Sequence, residues 1–354
     1  MTVKTRPPTI ADVAQRAEVS IATVSRVLNG TTPVQAEKAE RVRRAMEELH
    51  FVPHTAARTL ASRRTNTIGL ILDEIGRDFF SPLLRGIEAA AREARYDLLI
   101  KTTGSPHASL ASIDALGQHN TDGLIVFIDS LNEKELARLH KIGFPLVLMH
   151  QTPPEELDIP IITIENKSGA QKLVEHLIEV HGCRRIVFLQ GPEGNEDSEW
   201  RERGYREALE THGIEYDPAL ITSGGFDDEQ AFHSIQQMLL DRIEMDAIFA
   251  GDDEAAMGAI RALRMAGRLV PADVAVVGFD DVPFARHLSP TLTTVRAPIE
   301  GVGGEAVRQL LHLINGEPAE ALTLMPVKLI LRESCGCESK QASIQDELLS
   351  STRR

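Results

Sequence analysis

The chain has 354 residues, of which 42% are hydrophobic and 25% are charged, the balance of a globular protein with two or three domains. It has no 18-residue apolar run and no apolar leader with a small-residue cleavage site, so we expect neither a membrane span nor export. Its three cysteines are too few for a disulfide framework, which favours a reducing, cytoplasmic environment.

The charge of the chain is unevenly distributed. Residues 1–66 hold 11 Lys/Arg and 6 Asp/Glu, a net charge of +5, whereas the remainder carries −19 of the total of −14. A basic segment can contact a polyanion that the acidic remainder repels. The first 66 residues therefore favour a nucleic-acid partner.

The stretch TIADVAQRAEVSIATVSRVLNG, residues 9–30, predicts two short helices joined by a tight turn. Thr9 is a suitable N-cap for the first helix and Ser20 for the second, while Asn-Gly ends the second. Two such helices form a helix-turn-helix, whose second helix can enter the major groove of DNA. A third helix from about Ala36 to His50 would complete the apolar core.

These residues, together with RVRRAMEELHFVPHTAARTL at 41–60, resemble the DNA-binding region of the lactose repressor (LacI/GalR) family of bacterial regulators. The resemblance implies that Ile21, Ala22 and Arg26 contact operator bases, and Arg26 can form a bidentate pair with guanine. It also implies residues that contact phosphate or hold the helices, namely Thr9, Ser20, Thr23, Ser25 and Asn29. Glu18 replaces a glycine often found in the turn, at a cost of at most about 1 kcal/mol.

The segment FVPHTAARTLASRR, residues 51–64, lacks the apolar face that a stable short helix needs. The resemblance implies a hinge helix that pairs with its copy in the minor groove. There Leu60 would insert into a base step and kink the duplex, Ala57 would allow close approach, and Arg58 would reach phosphate. His54 replaces the asparagine usual in the family and is predicted to lie at the same DNA surface.

From Thr67 onward, apolar segments of strand length alternate with helical patterns. The predicted strands are TIGLILD, YDLLIKTT, DGLIVFI, FPLVLMH, IPIITIE, RRIVFLQG, ALITSGG, DAIFAGD and VAVVGFD. This alternation predicts an α/β fold with parallel sheets covered on both faces. The resemblance continues here and implies a two-lobed core similar to periplasmic sugar-binding proteins.

The chain is expected to cross between the lobes near Glu165-Asn166, Thr294–Arg296 and Met325–Val327. The predicted domains are a helix-turn-helix domain at 1–52, a hinge helix and linker at 53–66, an N-terminal lobe at 67–166 and 295–326, a C-terminal lobe at 167–294 and 327–338, and a flexible tail at 339–354.

The resemblance also predicts an effector site between the lobes. It would be formed by Phe80, His150, Arg201, Phe226, Asp252 and Asp280. His150 stands where the family often has aspartate, and Asp252 where it often has asparagine. Carboxylates and an arginine favour a polyhydroxylated ligand, so we expect a sugar, with a nucleobase, a nucleoside or a sugar acid as alternatives. Phe79 and Phe127 are interpreted as core residues.

Two groups of metal-binding residue types occur: Cys335 with Cys337, and His176 and His181 with Cys183. A zinc site needs three or four ligands at a recognisable spacing, so the sequence predicts no metal. There is no phosphate-binding loop and no arrangement of nucleophile and base. We therefore predict neither a cofactor nor enzymatic activity.

The tail has too few apolar residues for a heptad helix, so a homodimer on a pseudo-palindromic double-stranded operator is expected. The sequence thus predicts a transcriptional repressor whose operator affinity is controlled by a small effector. The alternative is a sugar-binding receptor without a DNA role, which would leave the first 66 residues unexplained.

Overall fold

The computed structural model describes residues 6, 8–29, 33–51, 64–104, 120–128 and 130–338. The chain divides into two compact units, Met1–Asn66 and Thr67–Arg354. The predicted hinge residues His54, Ala57, Arg58 and Leu60 and the predicted tail lie outside the described residues. No helix in the described ranges is long and apolar enough to cross a bilayer.

The described residues of the first unit form three helices, α1 (Ile10–Arg16), α2 (Ile21–Asn29) and α3 (Ala36–Glu48). The backbone N–H of Thr9 donates to Asp12 Oδ2 at 2.7 Å, while the Thr9 hydroxyl accepts from the Asp12 backbone, so both ends of a capping box are present. The three helices enclose an apolar core of Val13, Ala14, Ala17, Val24, Val42, Ala45 and Phe51. This arrangement is the predicted helix-turn-helix.

The turn between α1 and α2 contains a strained residue. Glu18 has φ 53°, a left-handed conformation that favours glycine, and its carbonyl accepts a 2.8 Å hydrogen bond from the Arg41 guanidinium. Because glycine keeps the carbonyl and relieves the strain, Glu18→Gly should raise the unfolding free energy of the first unit by about 0.5–1 kcal/mol. The measurement is urea denaturation followed by amide NMR signals of this unit. As a control, Gln15→Gly, inside α1, should lower the same free energy; a lowering by Glu18→Gly would contradict the strain assignment.

The second unit contains two six-stranded sheets. The first sheet is parallel throughout, in the order β11-β5-β4-β3-β1-β2. Its strands are β1 (Thr67–Leu72), β2 (Asp97–Thr102), β3 (Gly123–Phe127), β4 (Leu146–Met149), β5 (Ile161–Ile164) and β11 (Leu322–Met325).

The second sheet has the order β12-β10-β9-β8-β6-β7 and is parallel except for β12, which runs antiparallel to β10. Its strands are β6 (Ile186–Gln190), β7 (Ile221–Ser223), β8 (Ala247–Ala250), β9 (Ala275–Asp280), β10 (Thr293–Arg296) and β12 (Lys328–Ile330). The predicted α/β fold, with two lobes built on mostly parallel sheets, is confirmed.

Helices cover the faces of both sheets. Those of the first lobe are α4 (Phe80–Glu93), α5 (Glu133–Lys141) and α10 (Ile299–Ile314). Those of the second lobe are α6 (Asn166–His181), α7 (Glu196–Thr211), α8 (Asp228–Leu240) and α9 (Asp253–Met265). Helices α4 and α10 pack closely at Gly86. A Cβ at this position would lie 1.9 Å from the Glu300 carbonyl oxygen, so glycine allows the close approach.

The chain passes between the sheets three times, after β5, after β10 and between β11 and β12. The second crossing lies slightly later than predicted. Val295 and Arg296, assigned from the sequence to the N-terminal lobe, pair with Phe279 and Asp280 in the second sheet. Strand β10 pairs with β9 over Thr293–Arg296 and with β12 over Thr294–Arg296, so the chain leaves this lobe only after Arg296.

Candidate functional site

A polar cavity lies between the two lobes, where the parallel strands of both sheets reach their carboxyl ends. It encloses about 790 Å³ of space, including its open mouth. Its walls are formed by Asp73, Arg77, Phe79, Phe80, Phe127, Ile128, Pro192, Glu193, Asn195, Asp197, Arg201, Phe226, Asp252, Glu254 and Asp280. Parallel α/β sheets bind ligands at this edge, so the cavity is the candidate effector site.

Arg201 is the centre of the polar wall and is only 2% exposed. Its Nε donates to Asn166 Oδ1 at 2.9 Å, one terminal nitrogen donates to the Gly251 carbonyl at 2.6 Å, and the other donates to Asp280 Oδ1 at 3.2 Å. The guanidinium also lies 3.9 Å from the centroid of the Phe279 ring. These contacts fix its plane, so Arg201 is a preorganised part of the wall.

Asp197, in the first turn of α7, connects Arg201 to the opposite lobe. One of its oxygens accepts from Asn166 Nδ2 at 2.7 Å, and the other lies 2.8 Å from His150 Nδ1. Burial by itself would raise the pKa of Asp197, but His150, Arg201 and the Asn166 hydrogen bond together hold this pKa below its usual value. Asp197 is therefore an ionised acceptor at neutral pH.

Asp252 and Asp280 face the cavity from the ends of β8 and β9. Burial and the nearby Asp280 charge raise the pKa of Asp252 to about 8. Burial also raises the pKa of Asp280, although Arg201 opposes this shift. At pH 7 the Asp252 carboxyl is consequently protonated, and it offers a hydrogen-bond donor beside the charged acceptors.

The raised pKa of Asp252 makes stability depend on pH. From the unfolded pKa of about 4 up to about 8, the folded state binds more protons than the unfolded state, so stability falls as pH rises. Asp252→Asn removes this proton but keeps the oxygen that caps Ala255 N at 2.8 Å. The variant should be more stable than the parent at pH 8, and this advantage should shrink toward pH 5.

The measurement is the thermal unfolding midpoint of both proteins at pH 5, 6, 7 and 8. One titrating group contributes a slope of at most about 1.4 kcal/mol per pH unit. An advantage of Asp252→Asn that is equal at every pH would contradict the raised pKa.

Aromatic rings form the apolar wall of the cavity. Phe80 lies against Phe127 with ring centroids 5.3 Å apart, and Phe79 lies 5.6 Å from Phe80. The interpretation of Phe79 and Phe127 as core residues was incomplete, because both also line the cavity. Phe226 approaches from the other lobe, where a Cβ at Gly191 would lie 2.4 Å from the Phe226 ring.

Three of the predicted effector residues have strained backbones. His150, Phe226 and Asp280 have φ of 61°, 55° and 102°, values that L side chains rarely adopt. Such conformations persist where the surrounding structure fixes them, and they concentrate at functional sites. His150 itself is 2% exposed and lies behind the cavity wall, against Phe79, Phe127 and Asp197.

Hydrogen bonds also join the two lobes. The backbone N–H of Asp78 donates to Glu254 Oε1 at 3.0 Å, and the backbone N–H of Thr152 donates to Glu196 Oε2 at 2.6 Å. Arg77 reaches the Phe226 carbonyl at 3.5 Å. Apart from Phe226, these residues were not identified from the sequence; they lie in loops after strands or at helix starts, which is the signal that could have found them.

The structure brings five of the six predicted effector residues together at the cavity. The sixth, His150, contacts the others through Asp197 and the aromatic wall. It adds wall residues that the sequence reading omitted, namely Asp73, Arg77, Asn195, Asp197 and Glu254. Asp73 directly follows β1, so a search for polar residues at strand ends would find it.

In the first unit, α2 presents the predicted DNA-contacting surface. Ile21 is 52% exposed, and Ala22 and Arg26 are also exposed. The Ser20 hydroxyl accepts from Thr23 N at 3.2 Å and lies 2.9 Å from the Thr23 hydroxyl, so these residues shape the start of the helix. Ser25 is half-buried. Of the predicted residues, Ile21, Ala22 and Arg26 would therefore be the ones to contact bases.

A helix-turn-helix unit, followed by a two-lobed α/β core with a polar cavity between its lobes, defines a DNA-binding protein that responds to a small ligand. Residues 9–54 match the lacI family of bacterial regulatory proteins, and residues 174–335 match the periplasmic binding protein-like domain.

The chain is 36% identical over 339 residues to the transcriptional regulator CelR of Thermobifida fusca, covering 93% of this chain and 98% of that protein. It is 34% identical over 328 residues to the ribose operon repressor of Halalkalibacterium halodurans, covering 92% and 96%. It also superposes on the lac repressor dimer bound to operator and an anti-inducer with a TM-score of 0.82 at 27% identity, covering 93% and 99%. The chain belongs to the LacI family, and it is a DNA-binding transcriptional regulator rather than an enzyme.

Proposed function

We propose that the protein is a repressor whose operator affinity is controlled by a neutral sugar bound between its lobes. The observation that carries this proposal is the juxtaposition of Arg201, Asp252 and Asp280 on one wall of an aromatic-lined cavity between the lobes. Carboxylates accept hydrogen bonds from hydroxyls, while the arginine and the protonated Asp252 donate them. Two relatives support the choice: a ribose operon repressor and a CelR–cellobiose complex, the latter with a TM-score of 0.68 at 34% identity.

The charges of the wall favour a neutral ligand over an anionic one. Six acidic residues line the cavity against two arginines. Both arginines already contact protein acceptors: Arg201 contacts Asp280, and Arg77 contacts Glu74. Asp73 Oδ1 is buried and accepts no hydrogen bond from the described residues, so a ligand hydroxyl would satisfy it. A sugar acid would meet net repulsion, and a purine is the second candidate because the phenylalanines could stack on it.

The proposed coupling follows the operator-bound dimer of the lac repressor. Two copies of this chain would hold a pseudo-palindromic operator through two α2 helices, with Leu60 of each hinge segment in the minor groove. A ligand that changes the closure of the lobes would change the spacing of the two DNA-binding units. Binding of ligand and operator must then be reciprocal. Such a protein would act in the cytoplasm, at the nucleoid.

Asp280→Asn tests the site. The change keeps the shape of the side chain and suits the left-handed backbone, but it removes the charge that accepts from Arg201 and from a ligand hydroxyl. Because hydrogen bonds to charged groups contribute about 1.5–3 kcal/mol, affinity should fall at least about tenfold. A thermal-shift screen of neutral sugars, including cellobiose and ribose, sugar acids and purines identifies the ligand, and calorimetry measures its affinity.

The matched control is Asp241→Asn, an exposed aspartate at the end of α8, which should bind the ligand like the parent. Equal affinity of Asp280→Asn and the parent would remove Asp280 from the site. A screen in which purines alone stabilise the protein would replace the sugar by the second candidate.

A further inference from the structure

A second group of polar side chains lies outside the effector site, where the end of α6 meets the turn after β12. The sequence spacing predicted two separate groups here, and that prediction was wrong: the fold brings His176 and His181 together with Cys335 and Cys337. The four ligand atoms all lie within 4.8 Å of one another. Cys183, which the sequence grouped with the histidines, is not among them.

Four of the six distances between the ligand atoms are close to the edges of a tetrahedral metal site. The two histidine Nε2 atoms are 3.2 Å apart, and His176 Nε2 lies 3.4 Å from Cys337 Sγ and 3.7 Å from Cys335 Sγ. His181 Nε2 lies 3.5 Å from Cys337 Sγ. A zinc ion about 2.0–2.1 Å from nitrogen and about 2.3 Å from sulfur gives edges of roughly 3.4 Å for N–N and roughly 3.6 Å for N–S.

We propose that His176, His181, Cys335 and Cys337 form a structural Zn²⁺ site in the C-terminal lobe. Four protein ligands leave no open position, which is the arrangement of a structural site rather than a catalytic one. Two imidazoles and two thiolates select zinc over magnesium or calcium, which prefer oxygen ligands.

The backbone around the cluster is shaped to present these four side chains. Gly336 has φ 102°, which turns the flanking Cys335 and Cys337 toward the same point. A Cβ at this position would lie 3.3 Å from the His181 ring, so glycine also allows the close approach. Gly182, with φ 70°, ends α6 directly after His181. Both ligand pairs are thus placed by defined turns.

Neighbouring groups hold the sulfur ligand Cys335 in place. Cys335 is 2% exposed, and its Sγ receives a 3.0 Å contact from the Thr293 hydroxyl on β10. The adjacent Ser334 donates to the Val276 carbonyl at 2.6 Å, which anchors the turn to the sheet. Hydrogen bonds from neighbouring groups orient metal ligands in this way.

The site would connect the segment after β12 to α6, a helix that reaches the effector cavity. Helix α6 ends at His181 and begins at Asn166, whose side chain contacts both Arg201 and Asp197. The residues after β12 are otherwise joined to the lobe by edge contacts such as those of Ser334 and Glu333. Zinc would therefore fix the segment after β12 against α6 and stabilise the lobe.

Metal analysis of the full-length protein tests this proposal. Protein purified without chelator should contain one zinc per chain by plasma mass spectrometry, and Co²⁺ added to the stripped, reduced protein should give the intense visible bands of a tetrahedral site with thiolate ligands. The double variant Cys335→Ser, Cys337→Ser should lose both signals, whereas Cys183→Ser should keep both. The Co²⁺ spectrum of the parent needs no variant, so a folding defect cannot imitate the result.

Stability gives an independent readout. Removal of zinc with a chelator should lower the thermal midpoint of the parent and of Cys183→Ser, while the double variant should not respond. The proposal would be overturned if the parent contained no more zinc than the double variant and gave octahedral Co²⁺ bands or none. A Cys335–Cys337 disulfide in protein purified under reducing conditions, seen as resistance to alkylation, would overturn it as well.

Discussion

Arg201→Met should lower the unfolding free energy of the core by roughly 3–5 kcal/mol, because it leaves buried acceptors without their donor. The guanidinium connects Asn166, the Gly251 carbonyl and Asp280, and none of these partners can turn to solvent at this depth. Methionine fills the volume against Phe279 but donates no hydrogen bond. The same change should abolish ligand binding, since the polar wall loses its centre.

The measurement is urea denaturation of the parent and the variant without ligand, followed by calorimetry with the ligand found in the screen. Arg203→Met is the matched control: Arg203 is on the same helix, but it is exposed and lies over the Trp200 ring. That variant should stay within about 0.5 kcal/mol of the parent. A loss below about 1 kcal/mol for Arg201→Met would show that the buried network is not important for stability.

Arg26→Ala should weaken binding to the specific operator by roughly 2–6 kcal/mol per dimer, since each subunit would lose one bidentate base contact. Arg26 is exposed on α2 beside Ile21 and Ala22, which can offer only apolar contacts. Discrimination among sequences should therefore fall together with affinity. The operator is first obtained by in vitro selection with the purified protein, and fluorescence anisotropy measures both variants.

Arg43→Ala provides the control for charge alone, because Arg43 is exposed on α3 and pairs with Glu40 at 3.0 Å. It should change operator affinity by a smaller amount and leave discrimination between the selected operator and a mutated one intact. If Arg26→Ala kept the parental discrimination, base readout would have to be assigned to other residues of α2.

The fold was largely predictable from the sequence because buried parallel strands are continuous apolar runs. All nine predicted strand segments correspond to strands of the two sheets, and helix α1 begins at the predicted Thr9 cap. The strands that were missed, β10, β11 and β12, lie next to the crossings. Leu322–Met325 alternates between exposed and half-buried residues at a sheet edge, so it lacks the apolar signal.

The residues of the candidate effector site that lie within motifs of the family could be predicted from the sequence. Residues whose role depends on contacts between distant parts of the chain could not. Arg201, Phe226, Asp252 and Asp280 stand together as expected. Asp197 was missed because its role arises from His150, a residue 47 positions away and in the other lobe. The zinc cluster was missed for the same reason, since more than 150 residues separate its histidines from its cysteines.

In the proposed function, a ligand in the interlobe cavity controls operator binding by the helix-turn-helix unit. The most direct test is operator affinity measured by fluorescence anisotropy with and without saturating ligand, in the parent and in Asp280→Asn at the same ligand concentration. We expect the ligand to change the affinity of the parent at least about fivefold, which corresponds to a coupling of about 1 kcal/mol, and to leave the variant unchanged. If the operator affinity of the parent did not respond to a ligand shown to bind the cavity, the proposed coupling between ligand and operator binding would be contradicted.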